Sequence, residues 1–201
     1  MRGTPELHPV DRSRISRALA AWLAPAIMVA VASLASEPAQ ANDPAPLTTV
    51  GAVDLARYAG RWYELANYPN RFQRVCVRDT TAEYSLLADG RVRVVNRCRT
   101  ADGVSEVDGV ARRIGDGTDR LEVSFLPAAL RWLPVGWGNY WVIGLAPDYR
   151  YAVIGEPSRE YLWVLSRTPT LAADDWRAIE ALLRERGYDP AKLVATPQDG
   201  R

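Results

Sequence analysis

Histidine and cysteine are scarce in this chain of 201 residues. The single histidine, His8, lies in an N-terminal segment that has the features of a secretory signal. Once such a segment is removed, neither a Ser-His-Asp triad nor a Cys-His pair can form. A zinc site with histidine ligands is excluded for the same reason. The sequence therefore argues against histidine-based hydrolysis and predicts no metal and no other cofactor.

Residues 1–41 have the three parts of a signal peptide. Arginines occur near the start, an uncharged apolar run covers 18–34, and Ala39-Gln40-Ala41 has the form of a cleavage site. A transmembrane anchor is the alternative, since it needs about 18 apolar residues, but the many alanines and Pro25 favour a signal. No cysteine lies near Ala41 to receive a lipid. We expect an exported, periplasmic protein, and association with the outer membrane stays open.

The charges of the remaining chain cancel. Segment 1–41 holds four of the 25 basic residues and three of the 24 acidic ones, so 21 of each sign remain. Nucleic-acid binding calls for a basic patch, and this balance therefore predicts no nucleic-acid partner. Residues 42–52, with Pro44 and Pro46, are predicted to be a flexible lead-in to a single domain over 53–198.

Cys76 and Cys98 are the only two cysteines. In an oxidising compartment an even pair is most simply a disulfide, and two buried thiols are the alternative. A simple hairpin about Asp89-Gly90 does not place the two residues opposite each other. The disulfide therefore requires a bulge or bend between them.

Short strand-like runs recur at regular spacing from Tyr58 onward, which is typical of an all-β barrel or sandwich. The first predicted strand begins there, and the others cover 78–87, 91–99, 104–114, 120–126, 139–145, 150–154 and 160–167. A helical period follows, with Thr170 as its predicted cap and Gly187 as its end. Eight antiparallel strands in succession predict a closed up-and-down barrel with one C-terminal α-helix packed outside. A barrel of this size has room for one small ligand.

Three separated segments resemble the motifs of the lipocalin family: Gly60-Arg61-Trp62, Asp148-Tyr149, and Arg167 at the end of 161–167. The last of these, with Gly155-Glu156-Pro157-Ser158 ahead of it, is similar to the bacterial, plant and apolipoprotein D branch. The resemblance covers about 53–198. It implies that Gly60, Trp62, Asp148, Tyr149 and Arg167 form a structural motif at one end of the barrel. There Arg167 is expected to pack across Trp62 and close the floor.

The opposite end is predicted to open to a ligand. The resemblance implies that Tyr84, Asn96, Trp163 and Leu165 line the pocket, and alternation along the fifth strand adds Phe125. Apolar walls with a few hydrogen-bonding groups suit an acyl chain with a polar head. The expected partner is a fatty acid, a lysophospholipid or a similar small hydrophobic molecule. The alternative is that these side chains merely fill the interior.

The loop over 127–138 is predicted to lie at the open end and is unusually apolar, with Arg131 as its only charge. A lid, a homodimer contact and a membrane-touching surface are three interpretations, and a loop folded onto the barrel wall is the fourth.

The function expected from these features is that of a lipid-binding carrier in the cell envelope, with membrane maintenance as one role it could serve, and not that of an enzyme. The alternative is an enzyme on the same scaffold that uses a free, reactive cysteine. Such a cysteine is hard to activate without a histidine nearby.

Overall fold

The structure is a computed structural model that describes residues 45–199. The segment predicted to be a signal, with its apolar run and cleavage site, lies outside these residues. The strands are β1 (Gly60–Asn67), β2 (Arg78–Leu86), β3 (Val92–Arg99), β4 (Val104–Arg113), β5 (Arg120–Ser124), β6 (Gly138–Leu145), β7 (Tyr151–Gly155), β8 (Leu162–Ser166) and β9 (Val194–Ala195). The α-helices are α1 (Leu55–Tyr58) and α2 (Ala173–Glu185). Neither helix is long and apolar enough to cross a membrane.

The strands form one sheet that closes on itself. Its order runs from β2 through β8 to β1, and a further pairing of β1 with β2 completes the ring. All these pairs are antiparallel. Closure leaves no strand edge unpaired around the ring, which removes a site of aggregation. The predicted eight-stranded up-and-down barrel is confirmed, and β9 is an additional strand that pairs with β1 from outside the ring.

The barrel interior is packed by alternate side chains of each strand, as the pleat requires. One cluster of buried residues, which includes Trp62, Tyr84, Val94, Leu121, Ile154 and Leu165, fills its centre. The strands meet two sets of loops. Those after β2, β4 and β6 lie at the end where β1 begins, and those after β1, β3, β5 and β7 lie at the other. We call the first the closed end and the second the open end.

Helix α2 packs against the outer face of the barrel. Ile179 and Leu183 are fully buried in a second cluster that also contains residues of β6, β7 and β8. Gly144 on β6 permits this close approach, because a Cβ there would lie 2.3 Å from a methyl carbon of Leu182. The predicted cap is wrong: Ala172 holds the cap position, and its side chain makes no capping bond. Gly187 follows the helix with a φ of 77°, as expected of a residue that ends it.

Part of the predicted lead-in is held against the barrel. Leu47 is 4% exposed and belongs to the outer cluster. The Val50 amide donates to the Val142 carbonyl at 3.1 Å, and the Gly51 amide donates to the Asp119 carboxylate at 3.0 Å. These contacts correct the expectation of a flexible segment for residues 47–51.

Candidate functional site

The closed end is built around Trp62, which is fully buried. The guanidinium carbon of Arg167 lies 3.9 Å from the centre of the Trp62 ring, which confirms the predicted stacking. Arg167 also donates to the carbonyls of Arg61 at 2.8 Å and Arg57 at 2.7 Å. Gly60 has a φ of 92°, and a Cβ there would meet Arg167 at 3.4 Å, so that glycine suits this position. The cation therefore covers the indole and ties α1 to β1.

Tyr149 and Asp148 have different roles in the motif. The Tyr149 hydroxyl accepts a hydrogen bond from the Asp54 amide at 2.9 Å, and the Arg57 guanidinium lies 4.0 Å above the Tyr149 ring. Tyr149 thus contacts Arg57 of α1, and the Arg57 carbonyl accepts a hydrogen bond from Arg167. Through these contacts Tyr149 is connected to the closed end.

Asp148 instead pairs with Arg150 at 2.9 Å. Arg150 reaches Asp175 of α2 at 2.6 Å, and Asp148 thus helps to fix the helix.

Three tyrosines meet inside the barrel next to Trp62. The Tyr140 hydroxyl is hydrogen-bonded to those of Tyr58 at 2.8 Å and Tyr84 at 3.0 Å. The Tyr58 ring lies 4.8 Å from that of Trp62. Burial raises the pKa of all three phenols and keeps them neutral. Of the three, only Tyr84 was predicted from the sequence to belong to the site.

The other predicted ligand residues also lie on the interior face. Leu165 is buried in the interior cluster, and Trp163 is partly buried against it. Asn96 pairs with Ala82 of that cluster across β2 and β3. Phe125 stands near the rim, with its ring 2.6 Å from where a Cβ of Gly109 would lie. Their contact with a ligand stays a prediction.

A polar network, absent from the sequence-based site, extends from Trp163 toward the open end. The Trp163 indole N–H donates to Gln73 Oε1 at 2.9 Å. Gln73 Nε2 in turn donates to the Glu64 carboxylate at 2.5 Å. Gln73 belongs to a single 3₁₀ turn over 71–73 in the loop between β1 and β2. The loop is thus attached to the interior wall by one amide side chain.

Glu64 is the buried centre of this network, with 4% of its surface exposed. Its Oε1 accepts hydrogen bonds from Asn67 Nδ2 and Thr196 Oγ1, each at 2.7 Å. Burial raises the pKa of the carboxyl group, and these donors and Gln73 partly offset the increase. Thr196 follows β9, so the C-terminal segment contributes to the site as well.

Cys76 and Cys98 form a disulfide at the open end, as predicted, with their Cα atoms 5.5 Å apart. The β2–β3 register shifts between Arg78 and Thr81, which supplies the irregularity that the bond requires. Because these are the only two cysteines in the sequence, the oxidised chain has no thiol. A cysteine-based enzyme would lack its nucleophile in this state.

The apolar loop between β5 and β6 is partly folded onto the barrel. Trp137 packs against the outer wall, where the Arg112 guanidinium lies 3.9 Å from its ring. Its indole N–H donates to the Arg131 carbonyl at 3.0 Å. Trp132 and Val135, however, are 77% and 72% exposed. The wall interpretation therefore applies to Trp137 and not to these two side chains.

Comparison with known proteins places this fold in a family. The model of the lipocalin-like domain matches residues 53–198. Temperature-induced lipocalin-1 of Arabidopsis thaliana is 39% identical over 155 residues, which cover 76% of this chain and 83% of that protein. Outer membrane lipoprotein Blc of Escherichia coli K12 is 35% identical over 179 residues, which cover 86% and 97%.

A solved structure shares the architecture at lower identity. Insecticyanin of the tobacco hornworm Manduca sexta superimposes with a TM-score of 0.61 at 19% identity, covering 75% of this chain and 83% of that one. Together with the family model and the two relatives, it confirms the resemblance seen in the sequence motifs. The chain belongs to the lipocalin family.

Proposed function

We propose that this protein binds one long-chain lipid, of the fatty-acid or lysophospholipid class, inside the barrel and carries it within the cell envelope. The observation that carries the proposal is the exposure of interior-facing apolar residues at the open end. Phe125 is 41% exposed and Val107 is 46% exposed, although Val107 pairs with Asn96 on the interior face. An acyl chain that covers them would remove apolar surface from water, which is favourable by about 25 cal/mol per Å².

Two further observations support the cellular setting. The N-terminal sequence has the form of a secretory signal, and the Escherichia coli relative is named an outer membrane lipoprotein. Both favour the periplasm or the surface of the outer membrane as the place of action. A carrier also needs no reactive thiol, and both cysteines are joined in a disulfide.

Trp163→Ala is expected to weaken binding of a fluorescent fatty acid by about tenfold or more, because burying an aromatic side chain contributes roughly 1.5–3 kcal/mol. The change also removes the stacked pair that Trp163 forms with Tyr161 at 6.0 Å. Fluorescence titration measures the affinity. Trp132→Ala is the matched control, since its exposed ring is outside the interior. Equal affinity of a folded Trp163→Ala variant and the wild type would contradict the assignment.

We further propose that the open end touches a membrane while the lipid enters. Trp132 and Val135 of the β5–β6 loop are exposed there, and so are Phe72 and Val75 of the β1–β2 loop at 62% and 59%. Arg71 directly precedes Phe72, and Arg74 directly precedes Val75. Exposed apolar side chains beside cations suit an anionic lipid surface.

The double change Trp132→Ser and Val135→Ser is expected to weaken binding to phosphatidylglycerol-containing vesicles at least about tenfold. Sedimentation with the vesicles measures the bound fraction. Ile114→Ser is the control, because Ile114 is also exposed but follows β4 at the closed end. If the double variant bound vesicles normally and lost a dimer instead, the loop would be a subunit contact and the membrane proposal would be wrong.

A further inference from the structure

Glu64 is a buried carboxylate that forms no ion pair within residues 45–199. It lies opposite Leu165 across β1 and β8, and Leu165 belongs to the interior cluster. Since paired residues of antiparallel strands point to the same face, the carboxylate faces the interior. The groups that bind it, on Asn67, Gln73 and Thr196, are neutral donors.

One carboxylate oxygen of Glu64, Oε2, can accept a further hydrogen bond. Each carboxylate oxygen accepts about two hydrogen bonds, and Oε1 already receives two. Oε2 receives one from within the described chain, that of Gln73. A buried carboxylate is unfavourable unless charge compensates it, and neutral donors supply only partial charge. A cation at the second site of Oε2 would complete both its hydrogen bonding and its charge balance.

Space for such a group exists beside the carboxylate. A cavity of about 330 Å³ lies between the β1–β2 loop and the C-terminal segment, with Glu64, Thr80 and Thr196 in its wall. Arg74 also borders it, but the side chain is exposed and forms no ion pair with Glu64 among the described residues. The volume is far larger than the roughly 30 Å³ share of one water. It lies within the range of small-molecule sites, about 300–1,000 Å³.

Asn96 gives independent support for a hydrogen-bond donor on the ligand. Its Oδ1 is buried and has no hydrogen-bond partner in the described part of the chain. The residue lies on the interior face opposite Ala82. Buried polar atoms are normally paired, so a donor on the bound molecule accounts for this oxygen. Glu64 and Asn96 thus both offer acceptors to the interior.

We infer that Glu64 gives the barrel a preference for single-tailed lipids whose head group carries an ammonium ion. The inference rests on the proposed function and makes its ligand class narrower. The ammonium group donates to Oε2 of Glu64 and compensates its charge. The carboxylate of a fatty acid with the same tail is repelled, and an alcohol of that length can donate a hydrogen bond to Oε2 but supplies no positive charge.

The test compares dodecylamine, dodecanol and dodecanoate, which share one tail, by quenching of tryptophan fluorescence at neutral pH below their micelle concentrations. The wild type is expected to bind the amine about tenfold more tightly than the alcohol, a difference of about 1.4 kcal/mol. In Glu64→Gln the ratio of the amine affinity to the dodecanol affinity should fall to about one, and this ratio is the readout because the substitution also alters the hydrogen bonds from Asn67, Gln73 and Thr196. Glu180→Gln, an exposed change on α2, should keep the preference. Far-UV circular dichroism and thermal unfolding establish that each variant is folded.

Each remaining outcome has a definite meaning. If the alcohol binds and the amine is not preferred, or if Glu64→Gln keeps the preference, the inference is wrong and the lipid carrier stands. If none of the three compounds binds, the proposed function fails and the inference with it. Ethanolamine, which has no tail, is expected to bind at least about a hundredfold more weakly, because each buried methylene contributes about 0.8 kcal/mol. If ethanolamine bound as tightly as dodecylamine, the cavity would bind small amines without a tail, and the lipid part of the inference would be wrong.

Discussion

Trp62→Ala is expected to lower the free energy of unfolding by about 3–5 kcal/mol, the usual result of truncating a buried aromatic residue. Trp62 has no exposed surface, so the change removes its transfer free energy and also leaves a cavity. It further removes the hydrogen bond from the indole N–H to the Tyr58 carbonyl at 2.8 Å. The Arg167 guanidinium loses the ring beneath it, a contact worth roughly 0.5–2 kcal/mol.

Urea unfolding followed by circular dichroism measures this loss. Trp132→Ala is the control, because the same truncation at a side chain that is 77% exposed should change stability by less than about 0.5 kcal/mol. Arg167→Lys tests the hydrogen bonds of Arg167 separately from its charge. It keeps the charge but cannot form the fork that binds the Arg57 and Arg61 carbonyls. A Trp62→Ala protein as stable as the control would show that the closed end does not hold the barrel together.

The sequence was sufficient to predict the barrel because alternation and turns recur in every strand. Asp89-Gly90 and the alternating residues of β5 are local signals, and each fixes which side chains face inward. The rule that alternate loops lie at opposite ends predicted that Trp62 and Arg167 converge, and the resemblance to the lipocalin family implied that they stack. The helix cap was wrong because Thr170 lies before the helix begins at Ala173.

The Glu64 network shows what sequence reasoning missed and why. Trp62 and Glu64 are two residues apart on one strand, so the inward position of Trp62 already implied an inward carboxylate. The partners of Glu64 could not be inferred in this way. Gln73 comes from a loop and Thr196 from beyond the helix, and no periodic pattern connects them to β1. Such contacts between distant segments depend on the closed structure.

The same limit applies to the two tryptophans of the β5–β6 loop. Trp132 and Trp137 lie in one apolar segment, and the composition of that segment does not indicate which of the two side chains packs on the barrel. Trp137 is anchored because Arg112 of β4 presents a guanidinium to its ring at 3.9 Å. Within residues 45–199 no guanidinium lies over the ring of Trp132, which is 77% exposed. A partner on another strand thus decides which part of the loop is structural and which part is available for a membrane.

Replacing both Cys76 and Cys98 by serine is expected to lower the free energy of unfolding by roughly 3 kcal/mol, the value for a loop of this size in the chain-entropy model. The bond joins positions 22 residues apart. Chemical unfolding with and without a reductant measures the effect. Reduction should destabilise the wild type by a similar amount and leave the double variant unchanged, because that variant has no disulfide to reduce. A double variant with the stability of the oxidised wild type would contradict the expectation.

The disulfide is also expected to affect the ligand site, because Cys76 belongs to the loop that carries Gln73. The Cys76 amide donates to the Gln73 carbonyl at 2.9 Å, and the Gln73 side chain connects Trp163 with Glu64. Without the bond to β3, the loop has more freedom, and ordering it on ligand binding costs conformational entropy. The double serine variant should therefore bind lipid more weakly under conditions where its barrel remains folded. A variant that is less stable but binds lipid as tightly as the wild type would show that the loop is held in place by Gln73 alone.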